Sequence, residues 1–98
     1  MVSFEDIKKA QKNISNYIYK TPQVDSIPLS TVNQKVSLKL ESMQITGSFK
    51  LRGAINKLLS LNEEQKNRGV IAVSTGNHGK GVAYAAKQLG IKSKIFMS

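Results

Sequence analysis

The 98-residue sequence contains no cysteine and no tryptophan. The lack of thiols excludes disulfide staples, thiolate nucleophiles and cysteine-ligated metal, and it fits a reducing compartment. Histidine occurs once, at His78, so a zinc site would need carboxylates for all its other ligands, and no metal centre is expected. The only aspartates, Asp6 and Asp25, lie near the amino terminus, which leaves a serine-histidine-aspartate triad unsupported. No apolar run approaches the roughly 20 residues that cross a bilayer. Met1-Val2-Ser3-Phe4-Glu5-Asp6 places acidic and polar residues where a signal peptide carries a basic and then an apolar stretch. These absences predict a soluble, cytoplasmic protein.

Acidic residues are scarce as well: 6 Asp and Glu stand against 15 Lys and Arg, a formal charge of +9. Such a surplus suits nucleic acid when it is concentrated on one surface. Here the basic residues are spread from Lys8 to Lys94, with no dense run and no basic strand interleaved with aromatics. Only Arg52 and Arg68 are arginine, the residue favoured for bidentate base and phosphate contacts. A solvated basic surface is expected, with neither a nucleic-acid nor a membrane partner.

What the chain does contain is an alternation of helix and strand signals. Ser3, with Asp6 three residues later, resembles a capping box, and Phe4, Ile7, Ala10, Ile14 and Ile18 mark an amphipathic helix to about Tyr17 that packs on something larger. Thr21-Pro22 ends it, because proline disfavours helical geometry in the residue before it. Residues 23–34, with Pro28 and several serines and threonines, read as an extended connector with little regular structure. Val36, Leu38 and Leu40 then alternate with Ser37, Lys39 and Glu41 as in a half-buried strand. Gly47 permits a sharp turn, and Ser48 is a good N-cap for a helix carrying Leu51, Ala54, Ile55, Leu58 and Leu59.

Asn62 can cap a short polar helix through Glu63 and Glu64, closed by Gly69. Val70 to Ser74 is a continuous apolar run, the mark of a strand covered on both faces in a parallel sheet. A helix with Val82, Ala83, Ala85, Ala86 and Leu89, stopped by Gly90, and a further strand from Ile91 to Met97 complete one β-α-β unit with a right-handed crossover. The expected organisation is α/β, a partial parallel sheet with flanking helices. Residues 1–34 are the helix and connector, 35–61 a strand and lysine-bearing helix, and 70–98 the β-α-β unit. A sheet this small, with no helix after its last strand, is expected to leave apolar area exposed, as a truncated one does.

Two stretches carry chemistry. In Gly47-Ser48-Phe49-Lys50-Leu51-Arg52-Gly53-Ala54 a lysine falls in the first turn of a helix, where orphan N–H groups and the dipole disfavour a cation by about 0.3–1 kcal/mol. A lysine so placed is kept for its amine, and desolvation by Phe49 and Leu51 would favour the neutral nucleophile that forms a Schiff base with an aldehyde. The competing reading is a solvated lysine whose stem covers apolar surface. The second stretch, Ser74-Thr75-Gly76-Asn77-His78-Gly79-Lys80-Gly81, spaces its glycines in the reverse order of the dinucleotide fingerprint and lacks the serine or threonine that follows the lysine of a P-loop. What remains is a strand end, a turn and a helix N-terminus, together a site for an anion such as a carboxylate. Asn77 adds a neutral donor, and His78 reads as a satisfied loop histidine rather than a catalytic base.

Together, Ser48-Phe49-Lys50-Leu51-Arg52-Gly53-Ala54 and Ser74-Thr75-Gly76-Asn77-His78-Gly79 resemble the two N-terminal signatures of fold-type II pyridoxal-phosphate enzymes, in the threonine dehydratase and serine racemase branch. Thr21-Pro22 and Leu38-Lys39-Leu40-Glu41 also sit where that family has them, so the resemblance runs from about Thr21 to Met97. It implies the N-terminal part of a tryptophan-synthase-β-like two-domain architecture, with the rest of the enzyme lying beyond Ser98. It also implies that Lys50 holds pyridoxal 5'-phosphate and later acts as the base at Cα. Phe49 would lie against the pyridine ring and Asn77 would bond its phenolic oxygen. Ser48 and the N–H groups of Ser74, Thr75, Gly76, Asn77 and His78 would receive the substrate carboxylate.

The implied reaction is β-elimination from a hydroxy amino acid, threonine or serine, giving a 2-oxo acid and ammonia. The implied complete protein is a homo-oligomer. Related serine racemases place a serine where Thr75 stands, so racemisation is an alternative. The family's later glycine-rich phosphate loop would follow Ser98, so the chain alone is expected to bind the cofactor weakly and turn over little. Outside enzymes, the alternative is a basic module that uses the same strand-turn-helix to bind anions.

Overall fold

Helix α1 (Phe4–Ile14) begins with the expected capping box: Ser3 Oγ accepts from the Asp6 N–H, and the Asp6 carboxylate accepts from the Ser3 N–H. The computed structural model describes all residues, 1–98. The helix stops at Ile14 instead of running on to about Tyr17, and Ser15 Oγ turns back onto the Lys12 carbonyl. Of its apolar stripe only Ile14 reaches the core, while Phe4 and Ile7 remain exposed.

Two strands follow, β1 (Gln23–Asp25) and β2 (Ser37–Lys39), paired antiparallel with Val24 opposite Leu38. β1 lies inside the stretch expected to have little regular structure. Three residues carry no readable period, and this strand exists because β2 offers it a ladder. β2 is the expected strand, shortened, but its residues are exposed where half-burial was expected. The ribbon lies off the core, to which no residue from 19 to 44 belongs.

The core is built by the other half of the chain, comprising α2 (Lys50–Leu59), α3 (Glu63–Arg68), β3 (Val70–Val73), α4 (Asn77–Gln88) and β4 (Ser93–Phe96). Leu51, Ala54, Ile55 and Leu58 of α2 meet Val82, Ala85 and Ala86 of α4, joined by Ile14 and Ile91. Leu51 and Ile55 are fully buried, so truncating either to alanine costs about 2–5 kcal/mol. The two helices touch backbone to backbone: a Cβ on Gly81 would lie 3.3 Å from both Leu51 N and the Lys50 carbonyl carbon.

β3 and β4 pair in parallel with Val70 opposite Ser93 and Ala72 opposite Ile95, completing the β-α-β unit. The expectation of a strand covered on both faces fails. Val70 and Ala72 face the core, whereas Ile71 and Val73 are 70% and 81% exposed, because the helices pack on one face and no element lies on the other. Total exposed surface is 7489 Å² for 10.8 kDa, against roughly 5,500 Å² for a compact monomer of that mass. The excess is partly apolar, as this bare face and the ribbon show. No helix is long and apolar enough to cross a membrane.

Candidate active site

Lys50 owes its position to the turn before it. Glu41–Met43 forms a single 3-10 turn, and Gly47, at φ +78°, redirects the chain into α2. An L side chain rarely adopts that φ. Gln44 pins this loop to the residues after α1, accepting from the Tyr19 N–H at 2.9 Å and donating to the Tyr19 carbonyl at 3.0 Å. Glu41 pins it to α2: its oxygens accept from Arg52 Nε at 2.9 Å and Arg52 Nη2 at 2.7 Å, and Thr21 Oγ1 donates to it at 2.6 Å. The Arg52 guanidinium, and secondarily the Thr21 hydroxyl, hold the Glu41 carboxyl well below its ordinary 4.5, at about 2. The same pairing raises Arg52.

Helix α2 then starts at Lys50, one residue later than a Ser48 N-cap implies. No side chain caps it, and Ser48 Oγ makes only a long 3.4 Å contact with the Lys50 N–H. The first turn holds no acidic residue, and the Lys50 amine has no carboxylate partner or hydrogen bond. Its one neighbour of note is the Phe49 ring, whose centroid is 5.0 Å from Nζ. The expected desolvation is absent: Lys50 and Phe49 are both exposed, and Leu51 turns into the core.

Lys50 and Phe49 stand at one side of an open cleft of about 470 Å³ between α2 and β3, walled by Ala54, Leu58, Val70, Ala72 and Val82. His78, in the first turn of α4, lines it from the other side. The exposed His78 side chain makes no hydrogen bond or ion pair with the rest of the chain, and it sits in the helix rather than in the loop before it. The turn before α4 has Gly76 at its cap position, with no side-chain cap and no acidic residue in the first turn. Gly79 and Gly81 bring this turn against its neighbours. A Cβ on Gly79 would meet Ile95 Cγ2 at 2.9 Å and the Ser74 carbonyl at 3.1 Å, while Gly81 abuts Lys50.

The structure therefore gathers Lys50, Phe49 and His78 at one cleft and holds Thr75, Gly76 and Asn77, all exposed, on the adjoining turn outside its lining. Not every expected anion donor is free. The Ser74 N–H donates to the Phe96 carbonyl at 2.9 Å, and the Gly76 N–H donates to Ser74 Oγ at 3.2 Å. Ser48 is buried under the first turn of α2. Glu41, Arg52 and Gln44, which hold the lysine turn, were not singled out from sequence. Their partners lie 11 to 25 residues away, beyond the reach of any local pattern.

Residues 14–98 match the sequence model of the family described as pyridoxal-phosphate dependent enzyme. The chain is 48% identical over 98 residues to an L-threonine ammonia-lyase of Thermotoga maritima, covering 99% of this chain and 24% of that protein. It is 52% identical to the catabolic L-threonine dehydratase TdcB of Staphylococcus aureus, covering 99% and 29%. Among solved structures, serine racemase of Dictyostelium discoideum superposes with a TM-score of 0.91 at 40% identity, covering 98% of this chain and 32% of that one. Maize serine racemase gives 0.90 at 38%, covering 98% and 30%. The chain thus spans about a quarter to a third of the length of these relatives.

Proposed function

The chain belongs to the pyridoxal-phosphate dependent enzyme family, and from that premise we propose that it forms the lysine-bearing part of a lyase acting on L-threonine or L-serine. The observation that carries this reading is the Lys50 amine, unpaired beside an aromatic ring at a cleft whose far side is a helix N-terminus. These residues fit the cofactor. A free amine suits an aldehyde, the Phe49 ring suits a pyridine face, and a cleft of about 470 Å³ falls within the range of small-molecule sites, about 300–1,000 Å³. Pyridoxal phosphate, when bound, supplies an aldehyde for condensation and a ring that draws electrons from the substrate Cα.

Lys50 would hold the cofactor through its amine. With substrate bound, the Lys50 amine would be the group placed to take the proton from Cα. Asn77 would offer its side-chain N–H to the phenolic oxygen of the ring. The unpaired N–H groups of Thr75, Asn77 and His78 receive the substrate carboxylate, aided by the dipole of α4. Ser74 and Gly76 support that turn through the bonds described above, while Ser48 lies under the first turn of α2. Threonine would lose its β-hydroxyl with the Cα proton as water and regain one water as ammonia departs, giving 2-oxobutyrate and ammonia.

Because the chain spans about a quarter to a third of its relatives, we propose that on its own it binds the cofactor weakly and turns over little. The complete enzyme is proposed as a cytoplasmic homo-oligomer. A second reading, racemisation of serine, is favoured by the structural likeness to serine racemases and by the exposed Thr75 hydroxyl, which is chemically able to return a proton to Cα. Titrating the chain with pyridoxal phosphate tests the common part. Yellow absorbance that borohydride bleaches, and that Lys50→Ala abolishes, is the expected result. Colour retained in Lys50→Ala contradicts it and favours a basic anion-binding module.

A further inference from the structure

Arg52 lies two residues after Lys50, about 200° around the helix at ~100° per residue. The structure places the two side chains on opposite sides accordingly: Lys50 lines the cleft toward β3, and Arg52 lines the grooves toward α1 and β2. The guanidinium meets Glu41 with two nitrogens, and Glu41 Oε1 is shared with Thr21 Oγ1. The Thr21 carbonyl in turn accepts from Lys39 Nζ. A two-point fork fixes direction as well as distance. It also cancels a cation in the first turn of α2, where the dipole opposes one, and leaves Lys50 as that turn's only uncompensated charge. The Arg52 and Glu41 side chains are 31% and 17% exposed, unlike the freely solvated pair Lys35–Asp25 at 76% and 60%.

We propose that the Thr21–Glu41–Arg52 network is the positioning element for the Lys50 amine, clamping the first turn of α2 from the side away from the cleft. Glu41 and Arg52 act through the helix and touch neither cofactor nor substrate. The proposal rests on reading Lys50 as the cofactor-binding amine, and one experiment separates the two ideas. The full chain is treated with pyridoxal phosphate and borohydride, and in parallel with formaldehyde and borohydride, and modification at each lysine is followed by mass spectrometry. Formaldehyde reports only whether an amine is accessible, whereas pyridoxal phosphate also requires it to be aimed at the cleft.

In wild type, pyridoxal phosphate modifies Lys50 faster than the other lysines; without that preference the cofactor reading fails and this inference with it. Given the preference, Glu41→Gln and Arg52→Lys, the second keeping the charge but losing the fork, slow trapping at Lys50 by about three- to tenfold. Methylation of Lys50 by formaldehyde and trapping at the remaining lysines stay within about twofold of wild type. Unchanged pyridoxal-phosphate trapping at Lys50 in both variants overturns the positioning role while leaving the cofactor reading intact. Parallel changes with both reagents also overturn it, because they signify a loss of fold.

Discussion

Helices α1 and α3 open with a side chain that accepts from the third helical N–H, and each has two acidic residues in its first turn, whereas α2 and α4 open with neither. Ser3 and Asp6 cap α1 reciprocally, and Asn62 and Gln65 cap α3. α2 instead begins with a lysine and adds an arginine that must be neutralised from outside the helix. α4 begins at a glycine turn with its first N–H groups bare. The capped helices satisfy local rules because nothing else is asked of them. The uncapped pair leave an amine and a set of N–H donors available at adjacent ends, and such breaches of local preference are expected at functional positions.

The largest effects come from the contacts that hold the uncapped ends together. Gly81→Ala forces a methyl to within 3.3 Å of two backbone atoms in α2 and is expected to lower stability by about 1–3 kcal/mol. Gly53→Ala, in the same helix with open space around its Cβ position, is expected to raise it by about 0.5–1 kcal/mol. Denaturant titration of the two variants checks both signs. The Glu41–Arg52 fork makes stability depend on acid. The folded Glu41 value of about 2 lies below the ordinary 4.5, so the contribution is complete above about pH 5 and fades as pH falls toward 2. Its size is about 1–3 kcal/mol after allowance for partial solvation. Thermal melts of wild type and Glu41→Gln should differ at pH 7, and the gap should narrow below about pH 5 and close as pH falls through about 2.

Much of this contrast is legible in the residues. Ser3 with Asp6, and Asn62 ahead of Glu63 and Glu64, mark the starts of the capped helices by local chemistry, Gly69 and Gly90 mark the ends of α3 and α4, and the apolar run at Val70 marks β3. The placement of Lys50 at a helix entrance follows from Gly47 and the spacing of Leu51, Ala54 and Ile55. What escapes is non-local. β1 is three residues whose only reason to extend is a partner fourteen positions on, Gln23 opposite Lys39 being the wider end of that ladder. Glu41 and Gln44 look like surface polar residues until Arg52 and Tyr19 come alongside. The exposure of Ile71 and Val73 depends on what fails to cover them, which no periodicity encodes.

Smaller changes sharpen the comparison from the other side. Ser3→Ala and Asn62→Ala each remove a reciprocal cap and are expected to cost about 1 kcal/mol, read as earlier fraying of α1 or α3 in amide exchange, with no effect on Lys50 chemistry. Gly76→Asp does the reverse. It gives α4 the missing acid and cap at a position with room for a side chain, and should gain up to about 1 kcal/mol while weakening retention of carboxylates at that turn, measurable by serine or threonine displacement of the yellow colour.

The direct test of the central claim is the share of borohydride-fixed pyridoxal phosphate found on Lys50 among the thirteen lysines of the chain. The account predicts that Lys50 dominates at low cofactor concentration, ahead of lysines that are equally exposed. Label spread over the lysines in proportion to exposure would contradict it.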